Sequence, residues 1–468
     1  MSHNKSRFIC TLLLKFGRKR LRGYKKAHRH SPVTDCRCAL RHFVLFRPAL
    51  FGSILSGSSL FCSLVFGLSR LFLSGGGGIL AEQQTLVLVQ LLLTAAQINS
   101  HSGQRTSHSS QRCDNSDGND IPAEGLTFPN PVEAPETITT VGPDGSPAAW
   151  YTELELTPEE LAQVRSMNLT ACFELINASE WDNANLIGFQ DACEAMNIKI
   201  VGQGCCDLDP IQQKTNMESF AALNPDIVTC QPQDLDVCAP TFDPLWQAGV
   251  KLTFMSNVPT GYTAGKEYVG AITDSIVDMG IDSAEMMADA IGGEGEILAI
   301  TVADVNYVCN TRDDAFLKTI AEQYPNITVA EVGGFSSPNE AAQITSALLT
   351  KYPNVKGIFV SYSTPCIDVL QTVKALGRTD IKIVTMDLDT TCALDMAQGG
   401  NIVGIACDMP YAMGYGRALM AAYACIGKEC PGYVTSPSFK VTRENLLEGY
   451  RTSLGIEAPA DVQAALNG

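Results

Sequence analysis

Acidic side chains that follow an apolar strand are the first candidates for chemistry in this sequence. The segment KIVTMDLDTT, residues 382–391, places residues that favour a buried strand directly before Asp387 and Asp389. With Thr391, these residues form the pattern D-x-D-x-T, in which one carboxylate could act as a nucleophile and the other could move a proton. Alternatively, the strand presents an acidic side chain that accepts hydrogen bonds from a bound ligand.

The pattern resembles the opening motif of the haloacid-dehalogenase phosphatases, which also need a downstream Lys for phosphate and an acidic pair for Mg²⁺. After Thr391 the lysines are Lys428 and Lys440, and Asp408 has no acidic neighbour in the sequence. The remaining C-terminal segment is too short for the rest of that fold. The sequence therefore favours hydrogen bonding by Asp387, and it predicts a protein that is not an enzyme and uses no metal or cofactor.

The charge of the chain is unevenly distributed. The 468 residues suffice for two or three domains, and 45% of them are hydrophobic, which allows a large core. Residues 1–112 contain 16 Lys and Arg against Asp35 and Glu82, whereas the remainder contains 17 basic and 48 acidic residues. Because an acidic surface repels the phosphate backbone, the sequence predicts no nucleic-acid partner for the body.

The chain contains 17 cysteines, twelve of them between Cys172 and Cys430, but no C-x-x-C pair. All six His residues precede residue 109, so the body offers neither a Cys/His zinc site nor a His-activated nucleophile. Close pairs, Cys230 with Cys238 and Cys425 with Cys430, fit disulfides in an oxidising compartment. Buried thiols are the alternative, and both interpretations stay open at this point.

The N-terminal part differs from the body. Residues 1–110 combine a basic start with two apolar runs, 43–73 and 85–98, either of which could target the chain to a membrane. We interpret residues 1–110 as a targeting or anchor region and not as a folded domain; a chain start with no folded role is the alternative. Targeting implies an extracytoplasmic body, in the periplasm, the cell envelope or the medium, with membrane attachment through residues 43–98. Residues 111–150 are predicted to be a flexible linker.

The body alternates short apolar runs with helical segments, which is typical of parallel sheets covered on both faces. Two stretches repeat each other: NPDIVTCQPQD leads through a helix to GVKLTFMSN, and YPNVKGIFVSYSTP leads through a helix to DIKIVTMDL. Two similar doubly wound units would face each other at their strand ends, where ligands bind in open α/β sheets. Asp387 and, at the matching point of the first unit, Asn257 would then lie at a ligand site.

The stretch from about Asn168 to Arg451 resembles the type I periplasmic sugar-binding proteins, the ribose- and galactose-binding group. The resemblance rests on the order of elements and on the segments EWDNANLIGFQDACEAMNIKIV, VCNTRDDAFLKTI, YPNVKGIFVSYS and VTMDLDTTCALDMAQGGNIVGIACDMP. It implies an α/β fold with two Rossmann-like lobes, each with a parallel sheet, joined by a hinge of three crossings. It also implies that the lobes close on a small solute without catalysis.

For the domain organisation, the resemblance implies a solute-binding domain over residues 151–468. Lobe 1 would cover about 168–273 and 410–435, lobe 2 about 275–405, and residues 436–468 would form the last crossing and a tail. The implied partners are a small-molecule ligand, either a sugar or a polyol, and a membrane transporter of the ABC type or a receptor. The protein is expected to be a monomer.

A sugar site needs planar polar side chains for the hydroxyls and an aromatic ring for the apolar face of the sugar. The family's positions imply that Trp181 stacks on the ligand, that Arg312 binds it and that Asp387 is the principal acceptor. The full set of implied ligand-binding residues is Asn177, Glu180, Trp181, Gln231, Ser256, Asn257, Asp274, Arg312, Ser336, Tyr362, Asp387 and Asp408. Structural roles stay open for Trp181 in packing, for Asp274 in the hinge and for Arg312 in a surface ion pair.

The implied lining departs from that of a neutral-sugar site. Ser256 and Asn257 stand where sugar binders commonly have Asp-Arg. One guanidinium, that of Arg312, faces the carboxylates of Glu180, Asp274, Asp387 and Asp408. A polyol, an amino sugar or another cationic solute therefore stays open as the ligand. The effector domain of a transcription regulator shares this fold, but residues 99–150 lack the periodicity of a helix-turn-helix.

Overall fold

A computed structural model of the chain describes residues 122–304 and 306–467. The region 1–110, predicted to target or anchor the protein, lies outside the described residues, as does the proposed membrane attachment through residues 43–98. Within the described ranges, no helix combines the length and the apolar composition needed to cross a bilayer.

Lobe 1 is built on a seven-stranded sheet with the strand order β1-β12-β6-β5-β4-β2-β3, in which every pairing is parallel. Its strands are β1 (Ala149–Trp150), β2 (Thr170–Leu175), β3 (Lys199–Cys205), β4 (Ile227–Cys230), β5 (Lys251–Met255), β6 (Gly270–Asp274) and β12 (Tyr433–Ser436). Its helices are α1 (Pro158–Ser166), α2 (Glu180–Ala195), α3 (Pro210–Ala221), α4 (Ala239–Gln247) and α10 (Pro410–Ile426). Strands β4 and β6 are buried along their whole length because helices cover both faces of the sheet.

Lobe 2 is built on a six-stranded sheet with the strand order β13-β11-β10-β9-β7-β8, parallel except for the antiparallel edge strand β13. Its strands are β7 (Gly295–Val302), β8 (Ile327–Phe335), β9 (Gly357–Val360), β10 (Lys382–Met386), β11 (Ile402–Cys407) and β13 (Phe439–Val441). Its helices are α5 (Ile276–Ile291), α6 (Tyr307–Gln323), α7 (Ala341–Lys351), α8 (Ser363–Ala375), α9 (Thr390–Ala397), α11 (Leu446–Gly449) and α12 (Ala460–Asn467).

The chain passes between the lobes three times: from β6 into α5, from β11 into α10, and from β12 into β13. Carboxylates stand at two of these passages, Asp274 at the end of β6 and Asp408 directly after β11. The predicted fold class, two α/β lobes with parallel sheets joined by three crossings, is confirmed.

The segment after the third crossing completes lobe 2. Strand β13 pairs with β11, and the side chains of Tyr450, Leu454 and Val462 are buried in the core of lobe 2. Residues 436–468 were expected to form the last crossing and a tail. The apolar side chains of this segment are part of the core of lobe 2, where they are removed from water, and α12 packs against α9.

Residues 122–150 are folded, so the expected flexible linker does not hold for this part of the chain. Phe128 and Trp150 are buried in the core of lobe 1. The indole N–H of Trp150 donates to the carbonyl of Val132 at 2.8 Å, and the amide of Val132 donates to the hydroxyl of Tyr151 at 2.6 Å. The prediction rested on the content of Ser, Gly and Pro. Such a composition does not show that single aromatic residues of the segment are buried in the core.

The twelve cysteines from Cys172 to Cys430 are free thiols in the structure. Cys230 and Cys238 are buried in one apolar cluster of lobe 1, together with Phe242 and Phe254. Burial raises the pKa of the Cys238 thiol to about 12. Cys230 and Cys238 therefore pack as small apolar side chains, which is the alternative to the disulfide considered for this close pair.

Two capped helices present candidate residues towards the gap between the lobes. Helix α2 starts after Ser179, whose hydroxyl accepts from the amide of Asp182 at 3.0 Å. Helix α6 starts after Asn306, whose side-chain carbonyl accepts from the amide of Cys309 at 3.0 Å. Because each cap fixes where its helix begins, it also fixes the position of the side chains in the first turns.

Candidate ligand-binding site

The two lobes place a matching backbone feature at the ends of β5 and β10. Ser256 and Asp387 each follow a Met and adopt left-handed backbone angles, with φ of 54° and 63°. The Ser256 amide donates to the carbonyl of Ile272 at 2.9 Å, and the Asp387 amide donates to that of Ala406 at 3.0 Å. The counterpart of Asp387 in lobe 1 is therefore Ser256. The sequence had led us to expect Asn257 at this point. Non-glycine residues with positive φ are uncommon and concentrate at functional sites.

Arg312 and Asp387 form an ion pair within lobe 2. The Nη1 atom of Arg312 lies 3.0 Å from Oδ1 of Asp387, and only 5% of Arg312 is exposed. Burial opposes the positive charge, but the nearby carboxylates, above all that of Asp387, outweigh it and hold the pKa of the guanidinium above its usual value. Arg312 thus belongs to the gap between the lobes and is not a surface residue paired with its acidic neighbours in the sequence.

Asp274 and Asp408, at the two crossings, are buried at 3% and 1% exposure. Oδ1 of Asp274 accepts from the hydroxyl of Thr273 at 3.1 Å, whereas its Oδ2 has no partner among the described residues. Burial raises the pKa of both carboxyls, and the charge of Asp387 raises it further. The three carboxylates therefore act on one another electrostatically, with Arg312 as their shared cation.

Trp181 connects lobe 1 to the second crossing. Its indole N–H lies 2.8 Å and 3.0 Å from the two carboxylate oxygens of Asp408. This bond fixes the indole beside the acidic group, which is where a ring that stacks on a sugar would have to lie. The structure brings Trp181, Asp274, Arg312, Asp387 and Asp408 together in one cluster.

Glu180 makes a direct contact between the lobes, and its predicted ligand contact stays a prediction. Its carboxylate in lobe 1 accepts from the amide of Thr390 at 3.1 Å and from the hydroxyl of the same residue at 2.8 Å. Thr390 is the first residue of α9 in lobe 2, and its hydroxyl also lies 3.1 Å from that of Tyr450. Glu180 therefore joins the two lobes directly, by capping a helix of the opposite lobe.

The second carboxylate of the D-x-D-x-T pattern, that of Asp389, accepts hydrogen bonds at the start of a helix. Oδ1 of Asp389 accepts from the amide of Thr391 at 2.7 Å and from that of Cys392 at 3.2 Å, which makes Asp389 the N-cap of α9. Asp387, the first carboxylate of the pattern, is paired with Arg312. The pattern serves to pair a charge and to start a helix.

The other predicted residues lie around this cluster. Tyr362 is half-buried, and burial together with Cys309 and Asp387 raises the pKa of its hydroxyl. The hydroxyl of Ser256 accepts from Thr273 at 3.0 Å, so one hydroxyl bridges Ser256 and Asp274.

Four further predicted residues are hydrogen-bonded to residues outside the cluster. The amide of Asn177 donates to Asp182, Nδ2 of Asn257 donates to the carbonyl of Pro232, and the hydroxyl of Ser336 donates to Asp304. Gln231 accepts through its backbone carbonyl from Gln213. The structure leaves their predicted ligand contacts untested.

Two residues close to the cluster were not predicted from the sequence. The hydroxyl of Thr273 lies within hydrogen-bonding distance of Ser256 and Asp274, and the sulfur of Cys309 lies 3.8 Å from Nη2 of Arg312. The helical spacing i, i+3 between Cys309 and Arg312 was the available signal for Cys309.

Two doubly wound lobes, three crossings and a polar cluster at their facing strand ends define a two-lobed binding protein of the periplasmic class. Comparison with known families agrees: the model of the periplasmic binding protein domain matches residues 176–429, and the chain belongs to this family.

Solved structures of the same fold include an ABC transporter solute-binding protein of Agrobacterium vitis bound to α-D-tagatopyranose. It is 21% identical, with a TM-score of 0.56, over 62% of this chain and 99% of that chain. The arabinose-binding protein AraP of Geobacillus stearothermophilus is 21% identical, with a TM-score of 0.54, over 60% and 98% of the two chains. A solute-binding protein of Bacillus halodurans with bound myo-inositol is 15% identical, with a TM-score of 0.53, over 60% and 96%.

Among curated proteins, a D-apiose import binding protein of Actinobacillus succinogenes is 26% identical over 125 residues. This match spans 26% of the present chain and 40% of the length of that relative.

Proposed function

We propose that this protein binds a small polar solute, most simply a monosaccharide, by closure of its two lobes, and that it does so without catalysis. The observation that carries the proposal is the cluster of buried Asp274, Arg312 and Asp408 with half-buried Trp181 and Asp387, where the strand ends of both lobes meet. A carboxylate and a guanidinium offer the paired acceptors and donors that a ring of hydroxyls requires, and an indole offers an apolar face.

The mechanism is a shift of an equilibrium between open and closed lobes. A ligand held between Asp387 in lobe 2 and Trp181 in lobe 1 contacts both lobes only in the closed state, so it stabilises that state by its difference in affinity. The bond from Thr390 to Glu180 forms across the same gap and adds to the closed state without contacting the ligand.

The proposed setting is extracytoplasmic, with the closed monomer delivering its solute to an ABC importer or to a receptor. The family and the fold support this setting, and the names of the similar proteins support a sugar over other solutes. The bound myo-inositol of one structural neighbour keeps a polyol as the second candidate ligand.

Thermal unfolding with a panel of pentoses, hexoses and polyols tests the proposal. A ligand that binds the folded state stabilises it by RT ln(1 + [L]/Kd), so the melting temperature rises with the logarithm of the ligand concentration once the site is saturated. Calorimetry then gives the stoichiometry, expected to be one. Asp387→Ala should weaken the binding of the same ligand. Release of phosphate from phosphate esters with Mg²⁺, lost in Asp387→Asn, would contradict the proposal and favour a phosphatase.

A further inference from the structure

The carboxylates of the candidate site outnumber its cations. Asp274, Asp387 and Asp408 act on one another, and the single guanidinium among them, that of Arg312, is hydrogen-bonded to Asp387. Asp274 and Asp408 instead receive neutral donors, the hydroxyl of Thr273 and the indole of Trp181.

The next acidic and basic residues do not change this balance. Glu180 accepts its two bonds from Thr390 of the opposite lobe. Arg417, the other fully buried arginine of the described chain, lies inside lobe 1, where it contacts the side chain of Asn185 and the ring of Phe173. The site therefore requires either protons or a cation when the lobes close over it.

One carboxylate oxygen of the site lacks a hydrogen-bond donor from the described chain, which indicates that a ligand supplies it. Oδ2 of Asp274 is buried and without a partner among the described residues, and so is Nε of Arg312. A buried carboxylate oxygen without a hydrogen bond costs free energy, whereas an ammonium group supplies both the missing donors and the missing positive charge. A neutral hydroxyl supplies a donor only.

We propose that the ligand of this site carries a protonated amino group, as an amino sugar or an amino polyol does, and that Asp274 and Asp408 receive that group. This inference rests on the proposed function, because it specifies the ligand of the same site. Asp387 and Arg312 then bind the hydroxyls of the ligand, and Trp181 stacks on its ring. In this arrangement the residues at the two crossings recognise the charge of the ligand, and the residues of lobe 2 recognise its hydroxyls.

The test compares matched ligands on the unmodified full-length protein. Glucosamine, galactosamine and mannosamine are each titrated beside the parent hexose and beside the N-acetyl derivative, which keeps the nitrogen but not the charge. We expect at least one amine to bind about tenfold or more tightly than both neutral partners, because its ammonium makes charge-assisted bonds. Asp274→Asn and Asp408→Asn should each reduce this preference, whereas Asp278→Asn should keep it, since that carboxylate faces Thr139.

The outcomes separate the two proposals. If a neutral sugar binds as tightly as its amine, the inference fails and the proposed function stands. Protons on the buried carboxyls would then take the place of the cation. If neither the amines nor the neutral sugars and polyols bind, both fail. A preference for the amine that survives in both Asp274→Asn and Asp408→Asn also overturns the inference, because the amino group would then be recognised elsewhere.

Discussion

The two lobes use one backbone for different chemistry. At the end of the equivalent strands β5 and β10, Ser256 and Asp387 share the left-handed angles and the amide bond to the neighbouring strand. In lobe 1 this position carries a hydroxyl bonded to Thr273, and in lobe 2 it carries a carboxylate paired with Arg312. The fold therefore gives both lobes the same backbone conformation at this strand end. The type of residue at that position decides whether the lobe contributes a charged group.

Each lobe also buries one arginine, and the two differ in what neutralises them. Arg312 of lobe 2 is paired with Asp387 and surrounded by further carboxylates. Arg417 of lobe 1 contacts the amide of Asn185 and the ring of Phe173, and its Nε and Nη1 have no partner within the described chain. Burial lowers the pKa of Arg417 to about 10, whereas the pKa of Arg312 is raised. The folded protein therefore stabilises the charge of Arg417 less than that of Arg312.

The largest expected effect distinguishes these two arginines. Arg312→Met leaves the half-buried Asp387 without its cation. We expect it to lower the free energy of unfolding by about 3 kcal/mol, at the lower end for a broken buried pair because Asp387 keeps some contact with water. Arg417→Met, with similar volume and no carboxylate partner to orphan, should change it by less than about 1 kcal/mol or increase it. Urea unfolding of both ligand-free variants measures the difference. Equal losses in the two variants would show that the ion pair does not matter to stability.

The second prediction compares the buried acids of the two lobes through pH. Burial raises the pKa of Glu174 in lobe 1 to about 7 and that of Asp313 in lobe 2 to about 6. The folded protein therefore keeps these protons at pH values where the unfolded chain has lost them, so stability falls as pH rises from about 4 towards 7. Each group accounts for up to about 3 kcal/mol across its window.

Matched variants assign this pH dependence to one lobe or the other. Glu174→Gln should flatten the decline in stability up to pH 7, whereas Asp313→Asn should flatten only the part below about pH 6. Urea unfolding at several pH values between 4 and 8 provides the measurement. A decline that is unchanged in Glu174→Gln would mean that this carboxyl is already ionised in the folded protein.

The third prediction concerns the matching strand-end residues. Asp387→Ala removes a charged acceptor and should weaken ligand binding by about tenfold or more. Ser256→Ala removes a hydroxyl already bonded to Thr273 and should weaken binding by less than about threefold. Calorimetry with the best ligand of the panel gives both values. If Ser256→Ala proves the more harmful change, lobe 1 contributes more to recognition than the charges suggest.

The smallest expected effect is at the direct contact between the lobes. Glu180→Gln keeps the shape but weakens the bonds from Thr390, so the closed state should lose about 0.5–1 kcal/mol and apparent affinity should fall about two- to fivefold. Glu194→Gln, an exposed change at the far end of the same helix, is the control. Small-angle scattering of the ligand-free protein should show a larger mean radius for Glu180→Gln. An unchanged radius would mean that this bond does not favour closure.

The sequence predicted the features that depend on local pattern. Apolar strands alternating with helices indicated the two parallel sheets, and the polar residues at strand ends indicated Asp387, while family positions indicated Arg312 and Trp181. These residues are positioned by the ends of strands and by capped first turns, both of which leave marks in the sequence.

The features that depend on contacts between distant segments were not predictable in the same way. Glu180 reaches a helix more than two hundred positions away in the chain, and its bond to Thr390 exists only because the lobes face each other. Ser256, and not Asn257, is the residue that matches Asp387, because these two residues share the left-handed backbone angles at their strand ends. The aromatic residues Phe128 and Trp150 were hidden among residues typical of loops.

The pairing of β1 with β12 determines when this protein can fold. Trp150, near the start of the described chain, lies opposite Thr435, near its end, and α10 must pack on α2 across a similar separation. Lobe 1 therefore cannot be completed until nearly the whole polypeptide has been synthesised, and such non-local contacts slow folding.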